Sequence, residues 1–258
     1  MCLISFQWQP NAERKLILSA NRDEFFQRPA QEVHPWQDQP GVIAGKDLSQ
    51  GGTWLGIHNN GRFAALTNHR DLRDESKKKV PAKPISRGKL VIDFLTAQLS
   101  PLDYLKQLEK TAQQYDGYNL IVADGHSLAY FSNRSEQAPM VLPAGLYGLS
   151  NGLLQTPWPK LISAKQKLAT WIDTDEKTKA PLAGLLSSTE IASDDTLPNT
   201  GIGLAMERVL SSEKIITPNY GTRCSTGLII SQEGISIEEV SWNPDGSESG
   251  RKQYVIRY

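Results

Sequence analysis

Cysteine is scarce. The 258 residues contain only Cys2 and Cys224. Two thiols make neither a disulfide framework nor a zinc site, and no Cys-x-x-Cys-His run offers c-type haem attachment. Long apolar runs are missing too: no stretch of about eighteen apolar residues occurs, which argues against a membrane-spanning helix. Gln7, Gln9, Asn11 and Glu13 interrupt the apolar start, so no secretory signal is expected. The expected compartment is a reducing cytoplasm. Net charge is absent, with 28 basic against 28 acidic residues, which argues against general nucleic-acid binding. There is no Gly-Lys-Ser/Thr phosphate loop and no dinucleotide glycine fingerprint. The four histidines, His34, His58, His69 and His126, never fall at i, i+4, so no helical metal site is expected. One of them could still serve as an axial haem ligand.

What is present is strand-like at both ends of the chain and helical in blocks. Residues 2–8 and 15–20 are apolar and β-prone around Pro10-Asn11, which predicts a hairpin. Asn21 to Arg28 reads as a polar turn closed by Pro29. Gly41–Gly45 and Gly51–Ile57 are strand candidates, followed by an Asn59-Asn60-Gly61 hairpin turn and a return strand over 62–67. Residues 71–85 are charged and read as a mobile loop. A helix over 87–99 with Ser86 as N-cap is expected. A second opens with Ser100 as N-cap, Pro101 and Asp103, and ends near Tyr115. Another hairpin spans 118–133, and 145–152 forms a strand with a polar end. Helices are expected at 158–172, 180–187 and 203–211, then strands at 225–231, 235–242 and 252–258. Strands in blocks and helices in blocks predict one α+β domain over 1–258, with sheets sandwiched between helices.

Chemistry gathers at strand ends. Cys2 follows Met1, and removal of Met1 would leave a thiol and an α-amine on one residue. An N-terminal nucleophile can use its own amine as base, and a neighbouring cation such as Arg22 lowers the thiol pKa. The alternative is that Cys2 is a small apolar residue opening a buried strand. Asn21-Arg22-Asp23-Glu24, Asn68-His69, Ser150-Asn151 and Gly221–Thr226 also lie at strand ends or turns. Asn side chains suit an oxyanion, and arginine suits a carboxylate or phosphate. Ordinary turn and cap chemistry is the alternative for each cluster. In a regular strand, Asn21 and Asp23 share one face and Arg22 and Glu24 the other. Only a turn or bulge could aim Arg22 and Asp23 at one target.

Several segments together resemble one family. They are Met1–Ile4, Leu18–Pro29, Gly51–Gly56, Leu66–Asn68, Tyr147–Asn151, Thr156–Lys160 and Tyr220–Arg223. In order, they match the NRDE-domain family, the family of Transport and Golgi organisation protein 2. The resemblance implies a four-layer αββα sandwich similar to N-terminal-nucleophile hydrolases, closest to the cysteine branch that cleaves linear amides. The implied catalytic residues are Cys2, Arg22, Asp23, Asn68, Asn151 and Arg223. Arg22 and Asp23 are adjacent here but spaced apart in those hydrolases, so at most one is expected to keep its role.

The resemblance also implies haem trafficking or lipid and acyl-CoA handling, with a lipophilic anion as ligand and no required cofactor beyond haem as cargo. Contacts to such a ligand are expected from Cys2, Asn21, Arg22, His69 and Arg223, with the Lys77–Lys79 loop at its anionic end. Trp36, Trp54 and Trp158 are candidates to stack on its apolar part, or else to pack in the core. Three readings follow: a carrier of haem or a related lipophilic anion; an N-terminal-cysteine amidohydrolase; or an interaction protein with a vestigial pocket.

Overall fold

The computed structural model describes residues 2–73, 84–175 and 180–258. The expected first hairpin is β1 (Cys2–Trp8) and β2 (Arg14–Phe25). β2 does not stop at Ala20. It runs through the polar stretch as far as Phe25, which corrects the expected turn at 21–28, because Asn21 and Asp23 find buried partners far along the chain. β3 (Ala30–Pro35), a largely polar strand that sequence patterning misses, is followed by β4 (Val42–Asp47), β5 (Leu55–His58) and β6 (Phe63–Asn68). β7 (Tyr118–Ala123), β8 (Leu128–Ser132) and the short β9 (Met140–Val141) complete a seven-stranded antiparallel sheet, ordered β3 to β9.

The other sheet joins the chain's start to its end. Its order is β10 (Gly145–Leu149), β1, β2, β11 (Tyr220–Ser231), β12 (Gly234–Trp242) and β13 (Glu248–Arg257). Alternation along these strands buries Ile4, Phe6, Leu16, Leu18, Leu228 and Ile237 against Ile57, Phe63, Ile121 and Tyr130 of the facing sheet. Each such side chain contributes roughly 1.5–3 kcal/mol on full burial.

Helices cover both outer faces. α1 (Gly88–Thr96) and α2 (Pro101–Glu109) seal the seven-stranded sheet through Leu90, Phe94, Leu105 and Leu120. α3 (Pro159–Asp173) seals the six-stranded sheet through Leu161 on Leu3 and Leu168 on Ile17. The four layers are those of the αββα sandwich that the resemblance implies.

The cap of α2 is as expected, with Ser100 Oγ accepting from the Asp103 N–H at 3.2 Å. Other boundaries differ. α1 starts after Arg87 without a side-chain cap, so Ser86 is not its N-cap. α2 ends at Glu109, short of Tyr115. Residues 180–187 hold only a 3₁₀ turn at Leu182–Gly184, and α4 is Leu204–Val209. Most of the charged loop at 71–85, including Lys77–Lys79 and Lys83, lies outside the described residues. No helix among the described residues is long and apolar enough to cross a membrane.

Candidate functional site

Between the two sheets, at the end where β1 begins, lies a cavity of about 510 Å³. The backbone register fixes its floor. Cys2 pairs with Arg22, Arg22 with Cys224 and Cys224 with Ser241. Directly paired residues of an antiparallel sheet share a face, so these four form one row across β1, β2, β11 and β12. All four line the cavity. The two cysteines flank Arg22 at two strand spacings, about 10 Å, too far apart for a disulfide. Both thiols are free.

Ties around Cys2 hold its strand end. Ser150 Oγ donates to the Cys2 carbonyl at 3.0 Å. Thr67 Oγ1 donates to the Ser150 carbonyl at 2.6 Å and accepts from Asn119 Nδ2 at 3.0 Å. Asn68 ends β6 at the cavity. Asn151 supports it from behind: its Nδ2 donates to the Asn68 carbonyl at 2.8 Å. The Gly51–Gly56 segment brings in another wall. A Cβ on Gly52 would lie 2.5 Å from the backbone of Gly88, so only glycine lets this loop press against the start of α1 and carry Arg87 to the cavity. Arg87 Nη1 donates to the Gly117 carbonyl at 2.9 Å.

The charges differ in how far they are committed. Arg28 pairs with Asp47 at 2.6 Å. Arg223 is the extra residue of a bulge between Thr222 and Cys224; its Nη1 donates to the carbonyls of Phe25 and Arg28 at 2.9 and 3.0 Å. Arg22 makes no hydrogen bond or ion pair among the described residues. Burial pushes the Cys2 thiol up to about 11, against the pull of Arg22. Burial also raises the Cys224 thiol and the carboxyl of Glu239, which accepts the Val33 N–H at 2.8 Å and so ties β12 to β3.

Of the residues proposed from sequence, Cys2, Arg22, Asp23, Asn68 and Arg223 all touch the cavity. Asn151 acts one step back. Asn21 and His69 do not line it. Asn21 faces the helical layer, donating to the carbonyls of Leu186 and Glu213 at 2.7 and 2.9 Å and accepting from Ser225 Oγ at 2.6 Å. Asp23 reaches the rim, but alternation turns its side chain to the same outer face, where Thr222 Oγ1 donates to it at 2.7 Å. Among the tryptophans, Trp54 lines the cavity. Trp36 is a core residue whose indole donates to the Ala44 carbonyl at 3.0 Å. Trp158 packs beside Leu161, under Arg70.

Sequence reasoning missed Arg87, which it read only as the start of the helix over 87–99, and Glu239. A signal for Glu239 existed: alternation sets it on the face of Ile235 and Ile237, where an acid is out of pattern. Trp242, which also lines the cavity, carried no such signal.

Comparison with known proteins gives the family. A protein from Bos taurus, Transport and Golgi organization protein 2 homolog, is 37% identical over 254 residues, covering 91% of this chain and 90% of its own. The Homo sapiens homolog is 35% identical with the same coverage. Among solved structures, a Caenorhabditis elegans N-acylethanolamine-hydrolyzing acid amidase ortholog superposes with a TM-score of 0.48 at 13% identity, covering 88% of this chain and 92% of that one. A conjugated bile acid hydrolase from Clostridium perfringens gives 0.48 at 10% identity, covering 98% and 96%. The family model described as Transport and Golgi organisation 2 matches residues 1–242, and the chain belongs to that family.

Proposed function

We propose that the chain is an N-terminal-cysteine amidohydrolase acting on an amide whose acyl or amine part carries an anion. One observation carries this reading: Cys2 opens β1 inside the cavity, in one row with an uncommitted Arg22 and within the same cavity as Asn68. With Met1 removed, the α-amine of Cys2 takes the thiol proton as the sulfur attacks the amide carbonyl. The side-chain amide of Asn68 makes no hydrogen bond among the described residues, so it is available to the oxyanion. The C–N bond then breaks, the amine leaves with the proton held by Cys2, and a thioester remains. Water, deprotonated by the same amine, releases the acid and restores the thiol. Arg22 supplies the fixed positive charge for the substrate's anion.

A second reading is transport of haem or an acyl-CoA-like anion. The cations Arg22, Arg28, Lys46, Arg87 and Arg223 and the indoles of Trp54 and Trp242 around the cavity favour it, as does a thiol that burial keeps protonated. His69 is absent from the lining, which leaves iron ligation to Cys2 or Cys224.

Intact mass of the protein from its native cells, thiol labelling and a screen of N-acyl amides separate the two. The enzyme reading expects loss of Met1, stoichiometric Cys2 alkylation that abolishes turnover, and no turnover in Cys2→Ala. Retained Met1 with stoichiometric haem or acyl-CoA binding would replace it with the carrier.

A further inference from the structure

Where the floor row of the cavity ends stands a tryptophan that the proposed chemistry leaves unused. Cys2, Arg22, Cys224 and Ser241 form that row, and three strand spacings, about 14 Å, separate its ends. The next residue is Trp242. The pairing of β12 with β13 shifts register between Ser241 and Trp242, so the indole does not follow simple alternation. It lines the cavity and also reaches side chains on the helical side of the sheet.

The groups that hold it there have no freedom of their own. Asn21 uses both amide hydrogens, on the carbonyls of Leu186 and Glu213 at 2.7 and 2.9 Å. Its Oδ1 is therefore an acceptor, and Ser225 Oγ donates to it at 2.6 Å. A hydroxyl has one hydrogen, so toward Trp242 the same oxygen can only accept, and the indole N–H donates to it at 2.9 Å. Reversing the Asn21 amide would set its oxygen against two carbonyl oxygens. The direction of hydrogen bonding from the helical layer to the indole thus has one solution. Asn21 and Ser225 are buried, which makes each of these bonds costly to leave unmade.

Lys214 takes one face of the ring. Its Nζ stands 3.2 Å from the ring centroid, a cation–π contact. The same Nζ donates to the Gly246 carbonyl at 2.8 Å, in the turn between β12 and β13. With the N–H edge and one face occupied, the other face and edge are what Trp242 has for a ligand. An ammonium on one face draws the ring's electron density toward itself and sets a positive charge nearby. Both effects favour the apolar body of an anion and disfavour a cation.

We propose that Trp242 is a binding residue of the cavity: it takes the flat apolar body of an anionic ligand whose reacting end lies at Cys2, and Ser225 and Asn21 are positioning residues that hold its indole. The proposal rests on the reading of this cavity as the ligand site. It gives Asn21 an indirect place in that site, through Ser225 and the indole edge.

Protection of Cys2 from iodoacetamide is the readout, with Cys224 resolved by peptide mass. Two probes are compared: anilinonaphthalenesulfonate, which carries an aromatic body, and methanesulfonate, the same anionic group without one. The variants are Trp242→Leu, Ser225→Ala and their double variant, with Arg22→Gln as the anion control. Trp242→Leu is expected to raise the half-protecting concentration of the aromatic probe about tenfold and to leave that of methanesulfonate unchanged. Arg22→Gln should weaken both. Ser225→Ala should weaken the aromatic probe about threefold on its own and not at all beside Trp242→Leu, because its effect passes through the indole. Unchanged affinity for the aromatic probe in Trp242→Leu overturns the binding role. Equal losses from Ser225→Ala with and without Trp242 overturn the positioning role. Trp242→Phe keeps a ring without the N–H and serves if another variant does not fold: it is expected to bind the aromatic probe less well than the wild type, and equal binding overturns the positioning role. Protection by methanesulfonate alone overturns the proposal and keeps the anion site. A wild type whose Cys2 neither probe protects rejects the cavity as the ligand site, and the proposal with it. Dependence on Trp242 without any amide turnover would reject the hydrolase and keep the subsite.

Discussion

Along β2, four consecutive polar residues have opposite fates. Asn21 and Asp23 turn to the helical layer and are held by partners from distant parts of the chain: Leu186, Glu213 and Ser225 for Asn21, and Thr222 for Asp23. Arg22 and Glu24 turn to the cavity. There Arg22 has no partner among the described residues, and Glu24 accepts only the N–H of its neighbour Phe25, at 2.9 Å. The period of two in a strand thus interleaves a scaffold with a ligand surface. One side of the strand is closed by hydrogen bonds, and the other is left open for a ligand.

The largest effect expected from this contrast is on the closed side. Asn21→Leu leaves two carbonyls and one hydroxyl without their partner in a buried layer. It should cost about 3–5 kcal/mol, toward the low end of roughly 1–3 kcal/mol for each unsatisfied group. Urea unfolding measures it, and a loss under about 1 kcal/mol would break the scaffold half of the contrast.

Glu239 sharpens the contrast, because it is a committed acid on the cavity side. Burial raises its carboxyl above the ordinary glutamate value. A group raised on folding contributes its full stability below the unfolded pKa, and that contribution is lost as pH rises through the folded pKa. Glu239→Gln stays neutral and keeps an acceptor for the Val33 N–H. The stability of the variant relative to the wild type should therefore climb as pH rises above the ordinary glutamate range. Paired denaturation curves from pH 4 to 8 check this; a flat difference would mean that Glu239 carries no such burden.

The smallest stability effect belongs to Arg22. Arg22→Gln removes a cation that has no partner among the described residues, so stability should change by no more than about 0.5 kcal/mol. Its effect should appear instead in slower Cys2 alkylation, because loss of a nearby cation raises a thiol, and in weaker capture of anionic ligands. A destabilisation as large as that of Asn21→Leu would erase the distinction between the two sides.

How much of this was legible in the sequence follows the same division. Local signals held: the first hairpin, the Asn59-Asn60-Gly61 turn, the Ser100 cap and the start of α3 are all set by neighbours in the chain. The end of β2 was not legible, because four polar residues in a row look like a turn. What keeps them in a strand lies about 165 to 204 residues away. β3 was missed for a related reason: its Glu32 and His34 break the apolar pattern, and its Val33 N–H is satisfied by Glu239 from the opposite sheet. At the site, residue types at strand ends pointed to Cys2, Arg22 and Asn68. They could not show that Asn21 and Asp23 point away, since facing depends on where the strand ends. Arg22 and Asp23 face opposite sides of β2, as in a regular strand; the bulge at this level lies in the partner strand, at Arg223.

That bulge has a consequence for chain length. Thr222 and Cys224 are two residues apart yet face opposite sides, because Arg223 is inserted between them. A chain shorter by this one residue would keep Thr222 opposite Asp23 and Cys224 opposite Arg22, with the rest of β11 still in phase. It would lose only the guanidinium that laces the 25–28 segment to the rim. Arg223 is thus a removable stitch. Here the mouth can be loosened by deletion while the ladder beneath it keeps its count.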